Sequence, residues 1–323
     1  MKHIKVCKVI EKDRIEMRSA YCNALIKAAE ENPKIVSIDC DLSNSCGTGN
    51  FRKAFPDRFF NIGIQEQNGA AMAGGMSAAG LIPFFHSFAV FSSRRIYDQV
   101  FLSCAYGGEN VKIIGCDAGV SAAFNGGTHM AFEDMGIMRV MPHITVLEAT
   151  DPVMMTDIVK KVADLDGVVY LRMPRKEVNK VYEDGSTFEI GNGVIVRDGT
   201  DVTIIANGME VAESIKAADM LEKEGISARV VDMFTIKPLD VDLVARCAKE
   251  TGAIVTAENC SIIGGLGSAV AEAVVENCPV PVERVGVQDE FGEVGPVDYL
   301  MERFGLTSSH IVSKVKDVLR RRS

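Results

Sequence analysis

The main absence in this 323-residue chain is charge, because no Asp, Glu, Lys or Arg occurs between Gln67 and Ser93. A stretch this long without charge is expected to be buried. Its length resembles that of a membrane span, but Pro83, His86 and several glycines interrupt it. We therefore predict a buried segment of a soluble protein and no membrane-spanning helix.

Two further absences limit the class of protein. The chain has no basic excess, since its net charge is -9, and nucleic-acid binding needs a clustered basic face. Its nine cysteines are an odd number and form no Cys-x-x-Cys pair. They predict reduced thiols in a cytoplasmic protein. The charge-rich start, residues 1–18, predicts no secretory leader.

Apolar strands alternate with helical spacing along the first part of the chain. This alternation is typical of a parallel sheet covered by helices on both faces. Helical spacing of Met17, Tyr21, Leu25 and Ala28 supports the first helix. The strands are predicted at residues 35–38, 59–64, 81–85, 111–115, 144–147 and 168–171, and the helices at 13–32, 91–106 and 152–164.

A polar break separates this part from a second alternating unit. Residues 177–199 contain several glycine turn signals. The second unit has strands predicted at 202–206, 228–232, 254–258 and 282–286 and a helix at 209–224. We therefore predict two α/β domains, each a mostly parallel sheet with helices on both faces. They span residues 1–190, with a linker from about 177, and 191–323.

One carboxylate, Glu66, stands where a strand turns into the uncharged Gly/Ala-rich helix. A carboxylate in a first helical turn interacts favourably with the helix dipole. A carboxylate at the edge of a dry region is also a candidate for catalysis. Both interpretations of Glu66 are open at this level.

The run Gly264-Gly265-Leu266-Gly267 has two interpretations as well. Glycines before a helix are found in phosphate cradles. This run has neither the Lys-Ser/Thr of a P-loop nor the dinucleotide spacing, so a tight turn that lets a helix pack closely is favoured.

The segment Gly63-Ile64-Gln65-Glu66-Gln67-Asn68 and its Gly/Ala-rich helix resemble the aminopyrimidine-binding segment of the transketolase family, whose enzymes use thiamine diphosphate. Residues 258–267 resemble the C-terminal domain of that family. The resemblance covers nearly the whole chain but only the C-terminal half of a full-length transketolase. It implies a thiamine-diphosphate-binding pyrimidine domain followed by a transketolase C-terminal domain.

The resemblance assigns cofactor roles to four positions. Glu66 matches the catalytic glutamate, which hydrogen-bonds the aminopyrimidine ring and favours its imino tautomer, while the cofactor carries the chemistry. Phe88 and Phe91 match the aromatic pair beside that ring. Asp41 lies in a loop that matches the family pattern and is assigned to cofactor binding.

The resemblance also implies a site for a sugar phosphate. Arg18, Ser45 and Arg172 match phosphate-binding positions. His129 matches a substrate histidine and is assigned a catalytic role as well. Two further positions, Cys116 and Asn125, are assigned to substrate binding.

Cys116 and Asn125 depart from the family pattern. The family usually has His-Asp-Ser and Asp-Gly-x-Thr-His, where this chain has Cys116-Asp117-Ala118 and Asn125-Gly126-Gly127-Thr128-His129. In the family the two altered positions contact hydroxyls of the donor ketose. The donor is therefore in doubt, and a non-standard sugar is one alternative.

No Gly-Asp-Gly, which begins the diphosphate motif of the family, occurs in this chain. We therefore expect no metal ligand here, and Mg²⁺ (or Ca²⁺) to be held by a partner subunit. The resemblance then implies an N-terminal transketolase subunit on a separate chain. It also implies a heterotetramer of two plus two and a cofactor at the interface.

The resulting hypothesis is the C-terminal subunit of a split transketolase. It would move a two-carbon ketol unit from a ketose phosphate to an aldose phosphate, as in the pentose phosphate reactions of carbohydrate metabolism. Half of a deoxyxylulose-phosphate synthase, or a β-type subunit of a 2-oxoacid dehydrogenase, is an alternative that would use the same glutamate. A non-catalytic scaffold or regulatory subunit is an alternative of another class.

Overall fold

The computed structural model describes residues 4–322. Its first part, up to residue 190, contains eight strands and seven α-helices. In chain order they are β1 (Val6–Lys12), α1 (Met17–Glu31), β2 (Ile35–Asp39), α2 (Ser43–Cys46), α3 (Gly49–Ala54), β3 (Phe59–Asn61), α4 (Glu66–Ala78), β4 (Ile82–Phe88), α5 (Tyr97–Gln99), β5 (Lys112–Cys116), α6 (Asp134–Val140), β6 (Thr145–Glu148), α7 (Pro152–Asp164), β7 (Val169–Met173) and β8 (Asn179–Tyr182).

Four short helical segments of other kinds interrupt this part. Three are 3₁₀ turns, at Pro56–Arg58, Gly119–Asn125 and Gly127–His129, and one is a π-helical segment, Val100–Tyr106. The later part of the chain then adds β9 (Val194–Arg197), β10 (Val202–Ala206), α8 (Glu210–Glu222), β11 (Ala228–Asp232), β12 (Thr235–Lys237), α9 (Val241–Thr251), β13 (Ile254–Ser261), α10 (Leu266–Asn277), β14 (Val282–Val287), α11 (Val297–Arg303) and α12 (Ser308–Arg321).

The strands form two large sheets and one small one. The first sheet has the order β12-β6-β7-β5-β4-β2-β3, and all its neighbours are parallel except β12 with β6. The second has the order β14-β13-β10-β11-β9 and is parallel except for β9. The predicted α/β class with two mostly parallel sheets is confirmed. Strands β1 and β8 pair separately and antiparallel.

Helices cover both faces of the first sheet because its strands are apolar on both sides. Phe84 on β4 belongs to one apolar core, together with Met17 and Leu25 of α1. Its neighbour Phe85 belongs to the other core, together with Ala70 of α4. Successive side chains of a strand point to opposite faces, which produces this alternation.

The uncharged stretch is buried only in part. Residues 83–90 of β4 and the following turn are fully buried, as predicted. Helix α4 buries one face but exposes Gln67, Asn68, Ala71 and Gly75 on the other, so the prediction of complete burial is wrong there. Within residues 4–322, no helix is long and apolar enough to cross a membrane.

Several element ends differ from those predicted. Strand β3 stops at Asn61, and β4 continues to Phe88. The helix predicted over residues 91–106 is broken into turns, α5 and the π-helical segment. The domain boundary predicted near residue 190 falls between β8 and β9. Strand β12, from beyond that boundary, extends the first sheet, so the two parts share a strand.

The glycine run at 264–267 forms a tight turn before α10. The backbone N–H groups of Leu266 and Gly267 donate to the buried carboxylate of Glu258, at 2.7 and 2.8 Å. A Cβ on Gly265 would lie 2.0 Å from Glu258 Oε2. The helix start therefore binds a carboxylate of the chain itself, which agrees with the packing interpretation rather than a phosphate cradle.

Candidate active site

Most of the predicted site residues lie where strands of the first sheet end. Strands β2, β4, β5 and β7 are parallel neighbours whose carboxyl ends meet at one edge. They end at Asp39, Phe88, Cys116 and Met173. In open α/β sheets ligands bind outside the carboxyl ends of the strands. This edge is therefore the candidate site.

Glu66 begins helix α4 beside this edge. Only 3% of it is exposed, although its neighbours Gln65 and Gln67 are exposed. Its Oε1 accepts a hydrogen bond from Arg95 Nη1 at 2.9 Å and lies 3.4 Å from the hydroxyl of Ser87, which donates to it. The carboxylate stands in the first turn of α4, as the helix-dipole interpretation requires, and the catalytic interpretation stays a prediction.

Three aromatic rings are connected to Glu66 through Arg95, whose guanidinium carbon lies 3.7 Å from the centroid of the Phe91 ring. The ring centroids of Phe88 and Phe91 are 6.2 Å apart. The ring of His129 meets both of them edge-on, at 5.8 and 5.3 Å. The hydroxyl of Thr128 lies 2.9 Å from His129 Nδ1 and fixes the orientation of the imidazole. The buried carboxylate and the aromatic rings offer the two kinds of contact that suit a flat heterocycle with a ring nitrogen, and we call this part of the site the recess.

Asp117 connects the polar side chains of the site. It follows β5 with φ +59° and is buried. Arg175 binds it with two nitrogens, its Nε donating to Oδ1 at 2.8 Å and its Nη2 to Oδ2, while Asn125 Nδ2 donates to Oδ2 at 3.1 Å. Burial raises the pKa of Asp117, whereas Arg175, Arg18 and His129 act to lower it. Three of the predicted site residues, together with Arg175, are therefore within electrostatic reach of one carboxylate.

Arg18 holds the loop that contains Ser45, another residue predicted to bind phosphate. Its Nη1 donates to the carbonyl oxygens of Asn44 and Ser45, at 2.9 and 3.4 Å, and its Nε pairs with Glu16 at 2.6 Å. Asp41 lies exposed in the same loop and accepts from Asn61 at 3.1 Å. The roles assigned to Arg18, Ser45 and Asp41 remain predictions.

Arg172 does not reach the site. It is fully buried inside β7, where its Nε donates to Asp134 at 2.7 Å and its Nη1 to Glu148 at 2.9 Å. Its Nη2 donates to the carbonyl oxygens of Ala131 and Asn259, at 2.9 and 2.8 Å. These partners come from both sides of the domain boundary. The prediction that Arg172 binds a substrate phosphate is wrong, because its guanidinium is already satisfied by the junction between the domains.

Cys116 is also buried away from any ligand. None of its surface is exposed, and its thiol is hydrogen-bonded to that of Cys46. This hydrogen bond is the largest cause of the raised pKa of Cys46, and burial is the next. The prediction that Cys116 contacts the substrate is wrong. The side chain belongs to the apolar core and contacts Cys46 of α2 instead.

Sequence reasoning missed four residues of the site, which are Ser87, Arg95, Asp117 and Arg175. The guanidinium of Arg175 lies 5.6 Å from the Phe88 ring centroid and is partly exposed. It comes two residues after β7 ends, whereas Arg172 lies within the strand. A prediction of the strand end at Met173 would have pointed to Arg175, because residues beyond a carboxyl end face the ligand edge.

The recess offers what the aminopyrimidine of thiamine diphosphate requires, a hydrogen-bond acceptor and an apolar ring surface, and the cofactor roles of Glu66, Phe88 and Phe91 remain predictions. A diphosphate with a divalent metal needs oxygen ligands. Among residues 4–322, no group of three or more His, Cys, Asp or Glu side chains is arranged to hold a metal ion.

Comparisons with known proteins agree with this geometry. The transketolase pyrimidine-binding domain matches residues 13–180, and the transketolase C-terminal domain matches residues 191–311. A 6-deoxy-6-sulfo-D-fructose transketolase subunit, SqwH, from Clostridium sp. (strain MSTE9) is 45% identical over 95% of this chain and 95% of its own length. Rat transketolase is 35% identical over 95% of this chain but only 49% of its own.

A solved structure described as a split gene transketolase, inactive beta4 tetramer, superimposes with a TM-score of 0.90 at 46% identity. The match covers 96% of this chain and all of that one. The two domain matches together span most of the sequence, and the chain spans about half the length of the rat enzyme. The chain belongs to the transketolase family and corresponds to its C-terminal half.

Proposed function

We propose that this chain is the catalytic C-terminal subunit of a split, thiamine-diphosphate-dependent transketolase. The observation that carries the proposal is the buried carboxylate of Glu66 beside the rings of Phe88 and Phe91, on a chain that corresponds to half of a transketolase. When bound, thiamine diphosphate supplies the carbon nucleophile that carries a two-carbon ketol unit between sugars.

The residues of this chain prepare the site in three ways. Glu66 offers a buried acceptor to a ring nitrogen, and its burial keeps water from competing for that bond. Phe88 and Phe91 give the ring an apolar stacking surface. His129, whose imidazole is oriented by Thr128, stands against both rings, where it can donate to or accept a proton from a sugar hydroxyl.

The substrate is proposed to be a ketose with a terminal anionic group. Arg18 and Arg175 supply cations, and Asn125 supplies an amide, around Asp117. Guanidinium groups bind tetrahedral oxyanions through paired hydrogen bonds, and phosphate and sulfonate share that shape. The similarity to an enzyme named for a sulfo-sugar supports testing both kinds of donor.

The site needs a second chain. We propose an N-terminal subunit that holds the diphosphate and Mg²⁺ (or Ca²⁺), in a heterotetramer of two plus two. A cytoplasmic location is also proposed, because all nine cysteines are unpaired, as expected of a reducing compartment. The roles proposed for Arg18, Ser45 and Asp41 belong to the same assembled site.

The test is to co-purify the chain with the protein encoded beside it and to compare Glu66→Gln with the native complex. Gln keeps the shape but cannot share the proton with the ring nitrogen, so we expect turnover to fall about 10²–10⁴-fold. Subunit assembly, measured by size-exclusion chromatography, should be unchanged. Glu30→Gln, the same change at an exposed carboxylate of α1, is the matched control and should retain full turnover.

The alternatives give different results in the same assay. Unchanged turnover in Glu66→Gln would favour a scaffold subunit whose partner carries the reaction. Turnover with pyruvate as sole donor would favour a deoxyxylulose-phosphate synthase or a 2-oxoacid dehydrogenase. A screen of ketose phosphates and sulfonates then identifies the donor of a transketolase.

A further inference from the structure

Arg95 lies between the catalytic carboxylate and the aromatic wall. Its Nη1 is 2.9 Å from Glu66 Oε1, and its guanidinium carbon is 3.7 Å from the centroid of the Phe91 ring. One flat cation thus stacks on a ring and hydrogen-bonds to a buried carboxylate at the same time. These are the two contacts that the proposed function requires of the aminopyrimidine.

We propose that Arg95 is an internal occupant of the aminopyrimidine position, which must leave before the cofactor can bind. The inference depends on the proposed function, since it concerns the same recess. Arg95 bonds Glu66 Oε1 and covers one face of the Phe91 ring, so a heterocycle that uses this oxygen and this ring face must displace the guanidinium. A guanidinium and an aminopyrimidine cannot both lie between Glu66 and Phe91.

The structure gives Arg95 a place to go. Its side chain is 40% exposed, whereas that of Glu66 is 3% exposed. A surface cavity of about 420 Å³ adjoins the pair and is lined by Ile64, Gln65, Gln67 and Asn68 as well. None of these four residues is charged, so no electrostatic repulsion from them opposes the movement of the guanidinium into the cavity.

The contacts of Arg95 are weak enough to be displaced. A half-exposed ion pair and one cation–π contact together reduce the affinity of a competing ligand by roughly 5- to 30-fold. While Arg95 occupies the recess, the buried carboxylate of Glu66 keeps a counter-ion until the cofactor replaces the guanidinium. No uncompensated charge is then buried in the free subunit.

The test is calorimetric titration of thiamine diphosphate with Mg²⁺ into the complex with the N-terminal subunit. Arg95→Ala should bind the cofactor about 5- to 30-fold more tightly than the native complex. Arg95→Gln keeps a polar side chain and is the second variant in case alanine disturbs the fold. Its affinity for the cofactor should lie between those of Arg95→Ala and the native complex. Arg94→Ala is the matched control, because Arg94 is exposed and pairs with Glu133 and the carbonyl oxygen of Thr128. It should change affinity less than twofold.

Equal or weaker cofactor binding in both Arg95 variants would overturn the inference, because it would make Arg95 a support of the cofactor or a surface pair. Failure of the proposed function gives a different result, since the native complex would then bind no thiamine diphosphate. The titration needs no turnover, so the two failures can be told apart.

Discussion

Replacing Arg172 with methionine should cost stability rather than substrate affinity. The guanidinium is fully buried and makes two ion pairs and two hydrogen bonds to carbonyl oxygens. These contacts join β7 to α6, β6 and β13. Removal of the cation leaves the carboxylates of Asp134 and Glu148, both 0% exposed, without their counter-ion.

The size of the loss follows from this geometry. Breaking a buried ion pair by removing one partner costs about 3–5 kcal/mol, because the remaining charge stays buried. Burial already raises the pKa of Glu148 to about 6, and Arg172 acts to lower it. Without Arg172 that pKa rises further, so Glu148 becomes neutral at low pH. The loss should therefore be larger at pH 8 than at pH 5.

Urea unfolding of the isolated chain, followed by circular dichroism, measures this loss. Arg139→Met is the matched control, because Arg139 also joins the two domains, but through the exposed Glu272 and the carbonyl oxygen of Gly264. Its loss should be about 0–1 kcal/mol. Adding Asp134→Asn and Glu148→Gln to Arg172→Met should restore part of the stability, since no charge then remains buried alone.

A kinetic comparison completes the test. In the assembled enzyme, well below its melting temperature, Arg172→Met should leave the KM for the sugar donor within about threefold, whereas Arg175→Met should raise that KM tenfold or more. A stable Arg172→Met variant with a strongly raised KM would refute the structural role. It would return Arg172 to the substrate site.

Two other predictions concern the second domain. Glu210 is buried, and neither of its carboxylate oxygens is hydrogen-bonded. Burial raises its pKa well above the usual value. Its protonated form therefore stabilises the fold at low pH, and that contribution is lost as the pH rises. The advantage of Glu210→Gln in unfolding free energy should thus grow by about 1.4 kcal/mol per pH unit from pH 5, and parallel pH profiles would contradict this. Gly265→Ala should lower the free energy of unfolding in urea by roughly 2 kcal/mol or more, because the new Cβ would clash with Glu258. The matched Gly75→Ala has open space around its Cβ and should raise that free energy by up to about 1 kcal/mol. Equal effects at the two glycines would show that helix propensity alone decides.

The fold could be predicted because its signals are local. Apolar runs bounded by turns identified the strands, and the helix at residues 152–164 begins and ends as predicted. The antiparallel pairing of β12 with β6 could not be predicted. It joins segments about 90 residues apart, and a three-residue strand has no periodicity of its own.

The site could be predicted where chemistry and position coincide in the sequence. Glu66 stands alone in an uncharged stretch, and the structure buries it where Arg95 connects it to Phe91. Arg172 was misplaced because an arginine in sequence carries no sign of its burial. Its burial depends on two carboxylates, Asp134 and Glu148, that lie 38 and 24 residues away.

The exposed face of α4 is relevant both to the proposed partner subunit and to the wrong prediction of burial. The 27 residues from Gln67 to Ser93 carry no charge, yet Gln67, Ala71 and Gly75 are exposed. Close by, Ile64 is 73% exposed at the cavity beside Glu66. Exposed surface without charge is costly for a lone chain and is typical of subunit contacts, whose cores are depleted of charged residues. The prediction of burial stays wrong for the single chain, and we propose that the N-terminal subunit covers this uncharged face in the assembled enzyme.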